Sequence, residues 1–459
     1  MILLPHASLE GAWFPAIAGT QAAALLAVQQ QLAQTQYWPA EDLRAAQFAQ
    51  IGALLAHIDR FVPHYGISFR RAGVKAGEPI TADAWARVPI LTRRAVQDAG
   101  DRLHAREVPK SHGELSALTT SGASGMPVRM LTTKLHHFYW QSFQLRDELW
   151  RRRDLSQKIL GIRRDEERKD FSVDAHVRRL PDWGAPTSVV YPTGPSVLLD
   201  YRSTVAEQVE VIRAERPGYL VAYPSLLLEL LRHCRAHGVS FPGLLGVQTV
   251  REALAPETRA LCRDVLGVDI TDTYSCAEAG TLAVQCPERG AYHLQQESAL
   301  IEVLRDDGGV CSAGEIGHVI LTPLHNFAMP LVRYELGDLV EMGGPCACGR
   351  TLPVIARIVG RARDMLTLPG GDKRYPYYGH NAMMEIRAIR QHQVVQKSLE
   401  EIEIKLVVSR LLTAAEEEKI RQVALEGLGG PFRLTLTYCD EIRRGANGKY
   451  AEFCSELAG

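Results

Sequence analysis

Several features that would each direct the reading elsewhere are missing from this sequence. It has no uninterrupted apolar run of the length that spans a bilayer, about 18 residues or more. Positive and negative charges nearly cancel, 52 Lys and Arg against 53 Asp and Glu. No bulk electrostatic pull toward nucleic acid or an anionic membrane is therefore expected. The nine cysteines are odd in number and scattered, which argues for reduced thiols over a disulfide frame. The Gly-x-x-x-x-Gly-Lys-Ser/Thr spacing of a Walker loop is absent, so phosphate binding of that kind is excluded. Neither an internal repeat nor a low-complexity linker is visible. The first residues show no basic stretch leading into an apolar run and a small-residue cleavage site. The expectation is a cytoplasmic chain with neither nucleic acid nor membrane among its partners.

What is present is ordinary globular material. The 459 residues are 46% hydrophobic and 23% charged, values typical of folded domains. Residues 1–60 have a helical pattern, strongest over 21–34 and 41–55. Thr92 is placed to cap a short helix after residues 85–91. A strand is expected over 115–118 and a long helix over 134–153. From 157 to 269, strand-like runs (158–162, 219–223, 245–250) alternate with helical ones (204–215, 225–237). Such alternation implies βαβ units and a largely parallel sheet. Residues 314–343 look β-rich, with strands over 319–322 and 329–334. The last ~95 residues suggest a small α+β lobe with strands at 402–408 and 432–438 and a helix at 413–426. The fold class expected is thus α/β: a large N-terminal domain of α/β sheets with a β-rich subdomain (1–363), and a small mobile C-terminal α+β domain (364–459).

Five stretches carry chemistry. The first is Thr119-Thr120-Ser121-Gly122-Ala123-Ser124-Gly125-Met126-Pro127. Glycines let a backbone approach polyphosphate closely, and hydroxyls with free N–H groups supply donors to its oxygens. A Ser/Gly-rich surface loop is the plain alternative. The second is Asp272-Thr273-Tyr274-Ser275-Cys276-Ala277-Glu278, after a strand expected over 268–270. A tyrosine at a strand end can stack on a base, and an acid beside it can accept from an exocyclic amine. Glu278 could hold Mg²⁺, which takes carboxylate and phosphate oxygens, or could simply be a first-turn helix acid. In Arg333-Tyr334-Glu335-Leu336-Gly337-Asp338, a carboxylate at a strand end suits a sugar diol, or else caps a turn. Gly360-Arg361-Ala362-Arg363-Asp364 falls between the two lobes. Gly445-Ala446-Asn447-Gly448-Lys449 presents a glycine-flanked lysine, which on its own would be a solvated surface group.

Cys286, His293, Cys346 and Cys348 form a separate set. Three thiolates and an imidazole make an acceptable tetrahedral zinc set, structural because no position is left open. Reduced, buried cysteines are the alternative.

Taken in order, these stretches resemble the adenylate-forming superfamily of acyl-CoA synthetases, adenylation enzymes and luciferases. Within it, the chain is most similar to the phenylacetate–CoA ligase branch and its capsule-biosynthesis-like relatives. The resemblance is also carried by Thr322-Pro323-Leu324-His325-Asn326-Phe327-Ala328-Met329-Pro330-Leu331-Val332-Arg333-Tyr334 and Cys346-Ala347-Cys348-Gly349-Arg350. It spans residues 88 to the end. It implies a ligase that uses ATP and Mg²⁺ to activate an aryl or arylacetic acid. The product of the first step would be an acyl-adenylate with release of pyrophosphate, and the acyl group would then pass to CoA. The alternative is a stand-alone adenylation enzyme that hands the acyl group to a carrier protein or an amine. A retired binding protein that keeps only the nucleotide pocket is a third reading.

The resemblance also implies roles. Thr119, Thr120, Ser121, Gly122, Ser124 and Gly125 would hold the β,γ-phosphates. Tyr274 would stack on adenine and Asp272 would meet its amino group, with Thr273, Ser275, Glu252 and Ala253 completing the nucleotide set. Asp338 would bind the ribose hydroxyls with Arg361 beside it. Lys449 would bridge carboxylate and α-phosphate oxygens where charge develops, with Glu278 as its catalytic companion. Asp364 would be the hinge of the small lobe. Phe138, Tyr139, Trp140, Tyr223, Pro224 and Ser225 would line the acid pocket, and relatives of this type often pair as homodimers. The chain departs from the family pattern at Met126, where a lysine is usual, and at Tyr274-Ser275-Cys276-Ala277-Glu278, which lacks one hydroxyl.

Overall fold

The computed structural model describes residues 3–119, 128–164, 177–252, 254–361, 365–370, 373–374, 376, 378, 383, 386, 388–442 and 453–457. No helix among these is long and apolar enough to cross a membrane. The chain divides into two compact units. One comprises Met1–Leu336 with Val340–Ile358, the other Gly337–Leu339 with Val359–Gly459.

The first unit opens with helices Thr20–Thr35 and Ala40–Phe61. The second of these buries Ile51, Leu54, Leu55 and Ile58, a three-and-four spacing that makes one apolar stripe. Glu41 and Asp42 stand in its first turn and Arg60 in its last, which complements the helix dipole. Thr92 caps helix Arg93–Ala99 by accepting from the Ala95 N–H, as its position in the sequence suggests.

A twelve-stranded sheet organises the unit. Strands Ile159–Arg163, Ser196–Asp200, Tyr219–Ala222, Gly246–Thr249 and Ile270–Cys276 run parallel, as the alternating pattern requires. Leu160, Ile162, Leu199, Leu220 and Val247 are buried on one face and Leu198 and Tyr219 on the other, the mark of strands covered on both sides. The covering helices are bounded by local signals. Thr204 and Glu207 make a capping box for Val205–Glu215. Pro224 begins Pro224–His237, and Gly238, at a φ of 60°, ends it. After Cys276 the sheet turns antiparallel through Gly280–Gln285 and Tyr292–Leu294. Ala299–Leu304 and Ile316–Pro323 then pair antiparallel in turn.

The expected strand over 329–334 is not formed; only Tyr334 belongs to a strand, Tyr334–Met342. Pro330 has no N–H to give a ladder, and Arg333 takes a φ of 50°. That backbone turns the Arg333 guanidinium inward, where it meets Glu302 and the carbonyls of Ala86 and Val88.

The second unit has a four-stranded sheet in the order Arg433–Tyr438, Glu401–Val408, Ile389–Gln396, Phe453–Ser455. Helix Ala414–Leu428 is fixed at its start by a Thr413/Glu416 capping box. It buries Ile420, Ala424 and Leu428 with Ile402, Ile404, Leu406 and Phe453. The α+β expectation for the C-terminal lobe describes this unit well.

Candidate functional site

The strand Ile270–Cys276 is the spine of the site. Asp272, Thr273, Tyr274 and Ser275 lie inside this strand, whereas the sequence pattern placed them beyond a strand ending at residue 270. The reason is that the pairing with Gly246–Thr249 continues through Asp272 and antiparallel pairing with Gly280–Gln285 takes over at Thr273. Register shifts between Tyr274 and Ser275, and Ser275 is left exposed.

Asp272 is buried and both carboxylate oxygens are engaged. Thr249 Oγ1 donates to Oδ1 and the Tyr292 hydroxyl to Oδ2, each at 2.7 Å. Arg259 in turn donates to the Tyr292 oxygen at 3.0 Å and to the Ile270 carbonyl at 2.7 Å. Burial raises the Asp272 carboxyl above its ordinary value, opposed by the two hydroxyl donors. The Asp272 backbone N–H donates to the side chain of Gln285 at 3.0 Å. Tyr274 is also buried, packed with Ala279, Leu282 and Tyr292.

Glu278 lies in the turn after this strand and is buried. Burial and then the Glu278 charge push the Tyr334 hydroxyl upward, so the two groups are neighbours. Gly280 closes the turn with a φ of 76°, a conformation suited to glycine.

The helix Lys134–Arg151 sends three consecutive aromatics to three places, because neighbours on a helix are about 100° apart. Phe138 packs into an apolar cluster with Leu25, Leu145 and Leu155. Tyr139 stacks on His325, ring centroids 3.6 Å apart and 12° between planes. Trp140 faces the backbone of Gly280 beside Glu278. At its C-terminal end Arg151 grips Asp147 with two hydrogen bonds and donates to Thr273 Oγ1 at 2.6 Å. Thr273 donates to Asp147 at 2.8 Å. Of the residues expected to line an acid pocket, Tyr223 is fully buried in the parallel-sheet core, its hydroxyl accepting from the Arg164 N–H. Pro224 starts a helix and is buried with it. The Ser225 N–H donates to Glu252 at 3.0 Å, which ties this helix start to the loop after Gly246–Thr249.

In the second unit, Arg361 Nε lies 3.6 Å from Asp338 Oδ1. Asp338 sits mid-strand in Tyr334–Met342 rather than at a strand end. The glycine before it, Gly337, absorbs the irregularity at a φ of 82° and lets the strand continue. Thr119 closes strand Leu115–Thr119. Thr120, Ser121, Gly122, Ser124, Gly125, Ala253, Asp364 and Lys449 lie outside the described residues.

Cys286, His293, Cys346 and Cys348 come together with their ligand atoms all within 4.8 Å of one another. Cys346 Sγ is 3.8 Å from Cys286 Sγ, and Cys348 Sγ is 3.4 Å from His293 Nε2. Zinc–sulfur bonds of about 2.3 Å and a zinc–nitrogen bond of about 2.0 Å give tetrahedral edges of about 3.8 and 3.5 Å. The donor set fits the ion. His293 Nδ1 lies 3.3 Å from the Leu352 carbonyl; a carbonyl only accepts, so Nδ1 carries the proton and Nε2 faces the thiols with its lone pair. Burial lowers the His293 imidazole and keeps it neutral. Burial raises the Cys348 thiol, but hydrogen bonds from the Arg350 backbone and side chain outweigh it and hold the thiol low.

Arg259, Gln285, Tyr292, Asp147 and Arg151 were not picked out by the sequence. Each is a polar residue with nothing distinctive around it. The available signal was adjacency, since Gln285 precedes Cys286 and Tyr292 precedes His293.

The architecture is similar to that of solved CoA ligases that form acyl-adenylates, and over part of its length the chain is similar in sequence to phenylacetate–CoA ligases. Residues 377–455 match the CapK C-terminal domain. Over 214 residues the chain is 33% identical to the phenylacetate-coenzyme A ligase of Thermus thermophilus, covering 44% of this chain and 48% of that protein. It is 28% identical over 171 residues to the Pseudomonas putida protein of the same name, covering 36% and 38%. The chain thus spans about half or less of the length of these curated relatives. A 2-hydroxyisobutyryl-CoA ligase, solved in the postadenylation state with an acyl-AMP, superposes with a TM-score of 0.70 at 17% identity, over 93% of each chain. An anthranilate CoA ligase bound to anthranoyl-AMP gives 0.53 at 17% identity, over 74% of this chain and 66% of that one.

Proposed function

We propose that this chain is an AMP-forming acid–CoA ligase acting on an aryl or arylacetic acid. In the first step a carboxylate oxygen attacks the α-phosphorus of ATP, and the bond to pyrophosphate breaks. In the second, the CoA thiol gives up its proton, its sulfur attacks the acyl carbonyl, and AMP leaves with the electron pair of the acyl–oxygen bond. The observation that carries the reading is the placement of Trp140 against Gly280, beside Glu278 and one turn from Tyr274. An indole packs on the same turn that carries a buried carboxylate, after the strand that would bind the nucleotide. Glu278 would hold Mg²⁺, and the bound ion would neutralise phosphate charge.

The remaining roles follow the same reading. Residues 119–125 would cradle the β,γ-phosphates. Thr273, Tyr274, Ser275, Glu252 and Ala253 would surround adenine. Asp272, both of whose carboxylate oxygens are already bonded to Thr249 and Tyr292, would fix the strand beneath it in place of the expected contact with the adenine amino group. Asp338 and Arg361 would take the ribose, Lys449 would stabilise charge developing at the α-phosphate, and Asp364 would be the hinge of the small unit. The Cys286/His293/Cys346/Cys348 set would hold a structural zinc ion.

The test is ATP–pyrophosphate exchange over aryl, arylacetic, fatty and amino acids, with and without CoA. Exchange with an aryl acid, lost in both Glu278→Gln and Lys449→Ala, and a thioester on adding CoA are expected. Exchange without thioester would shift the acceptor to a carrier protein or an amine. Absence of exchange with ATP still bound would leave the chain a retired pocket, and absence of both would overturn the ligase reading.

A further inference from the structure

We propose that the metal-binding hairpin braces the nucleotide-binding strand, so that metal occupancy sets the affinity for ATP. The ATP half of this proposal rests on the ligase reading above; the link between metal and strand stands on the geometry alone.

The hairpin is Gly280–Gln285 paired with Tyr292–Leu294, in the register Tyr292 with Gln285 and His293 with Val284. It is closed by the Cys286 N–H donating to the Ala291 carbonyl. Two of the four metal donors, Cys286 and His293, lie on it. Side chains alternate across a strand, so Gln285 and Tyr292, each next to one of these donors, point away from the metal cluster. Both reach the same residue. The Gln285 side chain accepts from the Asp272 N–H at 3.0 Å, and the Tyr292 hydroxyl donates to the Asp272 carboxylate at 2.7 Å.

The Gln285 bond stands where the ladder with Gly280–Gln285 has not yet begun, since pairing starts at Thr273 with Val284. It therefore extends the hold of the hairpin to Asp272. Gln285 is itself fixed, donating to the Gly290 carbonyl at 2.7 Å, and Tyr292 is fixed by Arg259. Asp272 lies two positions before Tyr274, on the strand that leads to Glu278. A metal ion joining the hairpin to Cys346 and Cys348 would pin residues 285 to 293, and with them Asp272. Without the ion, the thiols lose that tether and the two prongs can move. Gln285 and Tyr292 are thus positioning residues that act through Asp272.

The experiment uses the full chain as wild type, Tyr292→Phe, Cys348→Ser and the double variant. Zinc per chain is measured by mass spectrometry, ATP affinity by calorimetry, and hydrogen exchange over residues 270–276. Wild type is expected to hold one zinc ion. Cys348→Ser should lose it, exchange about tenfold faster over 270–276 and bind ATP about tenfold more weakly, an ordinary coupling between two sites. Tyr292→Phe should keep its zinc and raise the KM for ATP about fivefold with kcat little changed. The double variant should be no worse than Cys348→Ser, because the tyrosine acts only through a hairpin the metal holds. Should Cys348→Ser fail to fold, chelation of the folded wild type replaces it, with the same readouts.

A zinc-free, folded protein with wild-type exchange and ATP affinity would overturn the proposal. So would independent, multiplying effects in the double variant, or a wild type that takes up no zinc. If wild type binds no ATP while exchange over 270–276 still follows zinc, the ligase reading falls and the brace stands.

Discussion

Trp140 lies on the backbone of Gly280, so closely that a Cβ at Gly280 would come within 2.7 Å of its ring. This contact joins the helix Lys134–Arg151 to the turn that carries Glu278. It also explains why a glycine closes that turn, since the φ of 76° and the indole both exclude a side chain.

Gly280→Ala should therefore be costly twice over. The left-handed backbone costs roughly 1–2 kcal/mol in an L-residue, and displacing the indole adds about 1–3 kcal/mol of overpacking. Thermal unfolding of Gly280→Ala, Trp140→Ala and the pair separates the two. The pair should recover the overpacking part and keep the backbone part. Equal stability of Gly280→Ala and wild type would mean that Trp140 does not occupy this position.

Arg333 has a comparable double role. Its guanidinium grips Glu302 through Nε and Nη2, while Nη1 donates to the Ala86 and Val88 carbonyls at 2.8 and 2.6 Å. A lysine cannot reproduce a planar fork with this many donors. Arg333→Lys should lose about 2–4 kcal/mol, because Glu302 and buried carbonyls are left without partners. Urea unfolding measures it, and Arg333→Lys with wild-type stability would show that the fork is dispensable.

Where periodicity and capping chemistry decide, the sequence was readable: Thr92 caps the helix it precedes, the helices expected over 204–215 and 413–426 form as Val205–Glu215 and Ala414–Leu428, and the run of parallel strands follows the alternation of patterns. The convergence of Cys286, His293, Cys346 and Cys348 was readable too, because cysteine and histidine are scarce enough for their spacing to carry information. The expected strand over 329–334 failed because one buried arginine, held by distant partners, overrides local propensity. Phe138, Tyr139 and Trp140 could not be sorted from spacing alone. Three adjacent aromatics on a helix must diverge, and which one reaches Gly280 depends on where the sheet stands. The Asp272 network was invisible for the same reason, since Thr249, Arg259, Gln285 and Tyr292 converge only once five elements are assembled.

Asp147→Asn tests the buried pair at the other end of the same helix. Arg151 and Asp147 are both almost wholly enclosed, with side-chain exposures of 5% and 7%. Removing one charge of a buried pair strands the other, at a cost of about 3–5 kcal/mol. The loss should appear in thermal melting, and on the ligase reading ATP binding should weaken too, because Thr273 and Arg151 must then share the one oxygen that remains at position 147. A melting temperature within a degree or two of wild type would mean the pair is solvated in solution.

Stability should also fall in mild acid, through histidines kept neutral by burial. Burial, then His137, pushes His136 down to about 4, from 6.5. Burial, then His136 and His112, pushes His325 down to about 3. An unfolded chain takes up protons on these imidazoles below pH 6.5, while the folded chain does not. Stability is thus full above about 6.5 and is lost as pH falls toward 4, on the order of 1–2 kcal/mol for His136 by pH 5. His136 Nε2 is buried with no hydrogen-bond partner among the described residues, so His136→Leu removes an unsatisfied group along with the titration. The variant should match wild type within about 1 kcal/mol at pH 7.5 and exceed it by about 1–2 kcal/mol at pH 5. Denaturant unfolding at both pH values gives the comparison. Parallel pH profiles for the two proteins would show that His136 is free to protonate in the folded chain, and the loss of stability in acid would then have to arise at other groups.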